Sequence, residues 1–188
     1  MGDGRRAVGR YAGLAVVLAL VLAGAWLLAG RPADAGITAV DGAGSTVGAV
    51  PEVGKPAPDF TATTLDGTEV SLSAFAGRPV WLTFGASWCS SCRSEFPDIQ
   101  GAFEAAPDDA VVLAVYLSED AAAVRSYTER VGMTFTHVPD PEDRVAAGYN
   151  VIGVPMHYFI DRDGVVRSLR FGVLTRDQMD AALAEISG

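Results

Sequence analysis

Trp88-Cys89-Ser90-Ser91-Cys92 holds the only two cysteines of the chain. On a helix, positions i and i+3 share a face, so the two sulfurs can meet and close a disulfide with little backbone movement. Upstream, Pro79-Val-Trp-Leu-Thr-Phe-Gly85 is an apolar, β-branched and aromatic run that predicts a buried strand. Downstream, Arg93 to Phe103 reads as a helix. A Cys-x-x-Cys at that junction sets the first thiol at a helix N-terminus, where free N–H groups and the macrodipole favour the reactive thiolate. Cys89 is therefore expected to be the exposed, low-pKa nucleophile, and Cys92, one turn in, the more buried resolving thiol.

Other uses of the pair fit less well. Zinc takes about four ligands, and the candidate partners His137 and His157 stand far along the chain, with no second cysteine pair. No metal is expected. A structural disulfide closing so short a loop would constrain the unfolded chain little. Redox chemistry is left.

Charge and composition narrow the partners. From Pro51 onward the net charge is −10 and before it +1, together the −9 of the whole chain. An acidic body without a basic run argues against nucleic acid. Two cysteines are too few for a disulfide-stapled secreted scaffold. Residues 11–30 are uncharged and mainly Ala, Leu, Val and Gly. Twenty helical residues span roughly 30 Å, the thickness of a bilayer core. Arg5, Arg6 and Arg10 precede the stretch, so residues 1–10 are expected to stay cytoplasmic and the body to be exported. Ala33-Asp34-Ala35 offers a signal-peptidase pattern, but the apolar stretch exceeds the usual h-region, which favours a retained transmembrane anchor. Residues 31–50, rich in Gly, Ala, Ser and Thr, read as a flexible tether.

The body, residues 51–188, alternates strand and helix. Strands are expected at 60–65 and 69–72 around Asp66-Gly67, then a helical turn at 72–75. After the cysteine helix, which Pro97 should kink, come a strand at 110–116 and a helix capped by Ser118 and running to Val131. A short strand at 135–138 and a weak helix at 143–149 follow. A hairpin, 156–161 with 165–171, precedes a final amphipathic helix capped by Thr175, with Met179, Leu183 and Ile186 on one face. This order predicts an α/β fold, a central mixed sheet with helices on both faces.

Three features together resemble the thioredoxin superfamily, and within it the membrane-anchored TlpA/ResA-like branch. They are Trp88-Cys89-Ser-Ser-Cys92 after the apolar strand with Pro97 beyond it, Gly153-Val154-Pro155 leading into a strand, and Gly54-x-Pro-Ala-Pro-Asp-Phe60 with Asp66-Gly67. The resemblance spans most of the body. It implies a thioredoxin-like fold, a cis Pro155 beside the disulfide, Val154 giving backbone contacts to a bound substrate segment, and Trp88 packed beside the sulfurs. It also implies that Glu95 lies near the disulfide and relays its protons. General thioredoxins carry a buried aspartate six residues before the first cysteine; Thr83 stands there, which leaves Glu95 as the acceptor for the Cys92 proton. No cofactor is implied.

The departures are local. Between the cysteines stand Ser90-Ser91, whose hydroxyls are expected to donate hydrogen bonds to the Cys89 thiolate. Met156 and His157 replace the small residues or threonine that follow the proline in the family, and His157 is expected as a half-buried strand residue. A peroxiredoxin shares the Gly54–Phe60 motif, but its required threonine and proline are replaced by Ala86 and Leu82. A copper-delivery module using Cys89, Cys92 and His157 would space its cysteines one residue wider. The resemblance therefore implies thiol–disulfide exchange, in the reductive direction, on exported protein thiols and disulfides such as apocytochromes c, with electrons from a membrane thiol carrier. The alternative is a thiol oxidase.

Overall fold

The computed structural model describes residues 50–188. In chain order these are β1 (Thr61–Thr63), β2 (Glu69–Ser71), a 3-10 turn (Leu72–Phe75), β3 (Val80–Gly85), α1 (Ser90–Ala105), β4 (Val111–Leu117), α2 (Ala121–Val131), β5 (Thr136–Asp140), α3 (Arg144–Gly148), β6 (Met156–Ile160), β7 (Val166–Phe171) and α4 (Arg176–Ser187). The expected anchor at 11–30, residues 1–10 and, except for Val50, the tether lie outside the described residues. Among the described residues no helix is long and apolar enough to cross a membrane.

The run after Pro79 forms the middle of a five-stranded sheet in the order β5-β4-β3-β6-β7. β3 pairs parallel with β4 and β4 with β5, whereas β6 runs antiparallel to β3 and to β7. Every residue of β3 is buried, as a central strand covered on both faces requires. Alternation then divides its side chains. Trp81 faces one core with Phe159, Phe96 and Met179, under α1, α2 and α4. Leu82 and Phe84 face the other with Tyr149, Tyr158 and Val145, under α3, the 3-10 turn and the apolar side of the β1–β2 hairpin. Each Leu, Val or Phe so buried contributes roughly 1.5–3 kcal/mol. The predicted mixed sheet with helices on both faces is present.

Several boundaries differ from expectation. Ser118 does not cap α2: its backbone has φ 54°, and its N–H and hydroxyl both donate to the Asp143 carboxylate, each at 2.7 Å. Asp120 caps instead, accepting from the Ala123 N–H at 2.9 Å. β5 begins after Phe135 and includes Pro139, which an edge strand tolerates because its missing N–H faces no neighbour. α4 begins as expected, with Thr175 and Gln178 closing a reciprocal capping box.

Candidate active site

The site forms where β3 ends and α1 begins. Ser87, in the connecting loop, is held from three directions. Its N–H donates to Glu119 Oε2 at 2.7 Å and its hydroxyl to Glu119 Oε1, while the Arg93 guanidinium donates to its carbonyl at 3.1 Å. Trp88 lies 60% exposed, and its indole N–H donates to the Leu117 carbonyl at 3.4 Å.

Cys89 is the N-cap of α1, in extended conformation, and its Sγ accepts from the Cys92 N–H at 3.2 Å. That bond gives the helix an N-terminal partner and favours negative charge on the sulfur. The two cysteines form a disulfide, their Cα atoms 5.3 Å apart, within the ordinary range for such a bridge. Neither serine hydroxyl serves Cys89: Ser90 and Ser91 are exposed, and the backbone N–H is the donor. The pair is asymmetric, as expected, since Cys92 is 1% exposed. Cys89 is better covered than predicted, at 8%, because the β6 loop closes over it. The Val154–Pro155 peptide is cis, and the Val154 carbonyl oxygen stands 3.8 Å from Cys89 Sγ. An open groove begins there, lined by Trp88, Leu117, Ile152 and Val154.

Below the disulfide lies a buried polar group. Glu95, one turn past Cys92 on the same face of α1, is 1% exposed. Its Oε1 accepts from the Leu174 N–H at 2.7 Å and lies 3.3 Å from His157 Nε2. His157 is fully buried, not half-buried. Its pairing partner in the ladder is Thr83, so alternation turns its ring under α1 rather than toward solvent. There its Nδ1 lies 3.0 Å from Thr83 Oγ1 and 3.3 Å from Trp81 Nε1. Thr83, at the place of the thioredoxin aspartate, therefore reaches Glu95 through a histidine. Glu119 and His157 were not among the expected site residues. His157 sits two residues past Pro155 on the face of Phe159, which is the signal that could have found it.

The other histidine is elsewhere. His137, on β5, has Nδ1 at 3.1 Å from the Tyr116 hydroxyl, and burial lowers its pKa to about 4.

Residues 53–169 match the model of the AhpC/TSA family. The chain belongs to that family. It is 36% identical over 135 residues to the thiol-disulfide oxidoreductase ResA of Geobacillus kaustophilus, covering 71% of this chain and 78% of the relative. It is 32% identical to the thioredoxin-like protein YneN of Bacillus subtilis, over 69% and 78% of the two chains. Among solved structures, a thiol:disulfide interchange protein of the thioredoxin family from Chlorobium tepidum superposes with a TM-score of 0.65 at 26% identity, over 74% of this chain and 99% of that one. This member is a thiol–disulfide oxidoreductase of thioredoxin-like fold, with Cys89 and Cys92 as its cysteine pair.

Proposed function

We propose that this oxidoreductase is held at the membrane by residues 11–30, faces the extracytoplasmic side, and reduces disulfides in exported proteins, apocytochrome c cysteines among them. The position of the body rests on the apolar twenty-residue stretch behind Arg5, Arg6 and Arg10. The dithiol chemistry rests on one observation above the others: a carboxylate, Glu95, buried one turn from the sealed sulfur of Cys92, placed to exchange the proton that this thiol loses or gains in every turnover. The reductive direction follows the resemblance to the ResA-like branch.

The Cys89 thiolate attacks a substrate disulfide that enters along the groove, guided by Trp88 and by backbone contacts at Val154 and Pro155. One substrate sulfur leaves as a thiolate and the other is bound to Cys89. Cys92 gives its proton to Glu95, and its thiolate attacks Cys89 Sγ. The Cys89–substrate bond breaks, the second substrate thiol departs, and the Cys89–Cys92 disulfide forms. Two electrons have passed to the substrate, and a membrane dithiol carrier restores them.

The deciding experiment equilibrates the full-length protein in detergent with thiol buffers and reads the Cys89–Cys92 reduction potential. A value below about −220 mV supports the reductant; a value near −120 mV makes the protein a thiol oxidase instead.

A further inference from the structure

Trp81 Nε1–H has no acceptor capacity; it can only donate. It points at His157 Nδ1 from 3.3 Å, and the Thr83 hydroxyl lies 3.0 Å from the same nitrogen. Nδ1 is therefore the acceptor of the ring, and the ring proton resides on Nε2. Nε2 lies 3.3 Å from Glu95 Oε1, off the axis of a formed hydrogen bond, and has no hydrogen-bond partner among the described residues. Both side chains are sealed from water, at 0% and 1% exposure, where an unpaired carboxylate would be costly. The Trp81–Thr83 pair thus sets a histidine with its one unpartnered N–H 3.3 Å from the carboxylate that stands one turn past Cys92, close enough for a small rotation of the carboxyl to complete the bond.

From this arrangement we infer that His157 is a positioning residue for the resolving step: its Nε2–H, with the Leu174 N–H, fixes the Glu95 carboxylate in the orientation that receives the Cys92 proton. The inference rests on the proton-acceptor reading of Glu95. No charge change on the histidine is required. The proton moves from Cys92 Sγ to Glu95, the Cys92 thiolate forms the new S–S bond to Cys89, and the bond from Cys89 to its partner breaks. A carboxylate held by only the Leu174 N–H could rotate away from Cys92. That loss falls on the second chemical step and leaves the first, made by Cys89 at the helix N-terminus, untouched.

The test is stopped-flow oxidation of the reduced full-length protein by an aromatic disulfide whose thiolate is coloured. The first release of colour reports attack by Cys89, and the second reports resolution by Cys92. Glu95→Gln should slow the second release by roughly 100-fold, and His157→Leu by about 10-fold or more, with the first unchanged. His157→Gln, whose amide N–H replaces Nε2–H, should restore the second release to within a few-fold. The double variant Glu95→Gln/His157→Leu should be no slower than Glu95→Gln alone. Additive losses, or a His157→Leu defect shared equally by both releases, overturn the inference and leave a histidine that serves only packing. Silence of Glu95→Gln overturns the reading beneath it, so the variant that is silent tells the two failures apart. If His157→Leu does not fold, nitrogen NMR of the unmodified protein still decides: a ring proton on Nδ1 rather than Nε2 sinks the inference.

Discussion

Glu119, two residues past the end of β4, binds both the N–H and the hydroxyl of Ser87, two residues before Cys89. A carboxylate at 7% exposure thereby ties β4 to the loop that presents Cys89. Both Ser87 groups are donors, so both Glu119 oxygens are needed as acceptors. Glu119→Ala removes both acceptors and should cost roughly 1–3 kcal/mol, with a fall in kcat/KM for disulfide reduction. Ser87→Ala removes one bond only and should cost less. Chemical denaturation and exchange kinetics on both variants check the order; equal costs would deny that the backbone N–H matters.

The unequal burial of the two sulfurs predicts unequal variants. Cys92→Ser should accumulate a covalent adduct with a disulfide-bearing peptide, because capture at Cys89 proceeds and resolution cannot. Cys89→Ser should form almost none. Intact mass spectrometry under non-reducing conditions reads both, and an adduct of similar yield on Cys92 would reverse the assignment.

Gly85 closes β3 directly beneath the active-site helix. A Cβ there would come 2.8 Å from Phe96 Cζ and 3.6 Å from Cys92 Cβ. Phe96 is buried and stacked on Tyr116, ring centroids 5.5 Å apart, so it has little room to yield. Gly85→Ala should destabilise by about 1–3 kcal/mol. Gly153→Ala meets the Phe171 ring at 3.1 Å, but that ring is 66% exposed and free to swing. Its cost should be well under that of Gly85→Ala in the same thermal melts.

His137 gives stability a pH dependence. Burial lowers its folded pKa to about 4, against roughly 6.5 in an unfolded chain. Above that unfolded value both states are neutral and the full stability is present. As pH falls below it, the unfolded state takes up the proton first, and stability drops until the folded pKa is reached. The loss is up to about 3 kcal/mol between pH 6.5 and 4, at 1.36 kcal/mol per unit. His137→Gln should flatten that part of the curve of unfolding free energy against pH.

Much of this architecture is legible in the chain itself because it is local. The apolar run at 79–85, the cysteines three apart and the cap at Thr175 each act within one or two turns of backbone. Glu95 near the disulfide is what the resemblance implies, and its spacing from Cys92 on one helix face agrees with it. What stays hidden depends on long-range pairing. Glu119 reads as part of a helix start, and only the parallel pairing of β3 with β4 brings it to Ser87. His157 reads as one polar residue in an apolar strand. Its partners Trp81 and Thr83 lie 76 and 74 positions earlier, and the β3–β6 register alone unites them. Ser118 misleads for a related reason: its hydroxyl fits a cap, but Asp143, 25 residues on, takes both its donors.

The seal over Cys92, 1% exposed beside a Cys89 at 8%, also governs how long a captured partner stays. Thiols in the surrounding fluid can reach the link between partner and enzyme, but they cannot compete for the sulfur that severs it from within. The rate of that internal release is thus set by the interior of the fold, whatever share of partners outside thiols remove. The same enclosure keeps two copies of the protein from cross-linking through Cys92, so crowding would not consume the enzyme in dead-end dimers at that sulfur.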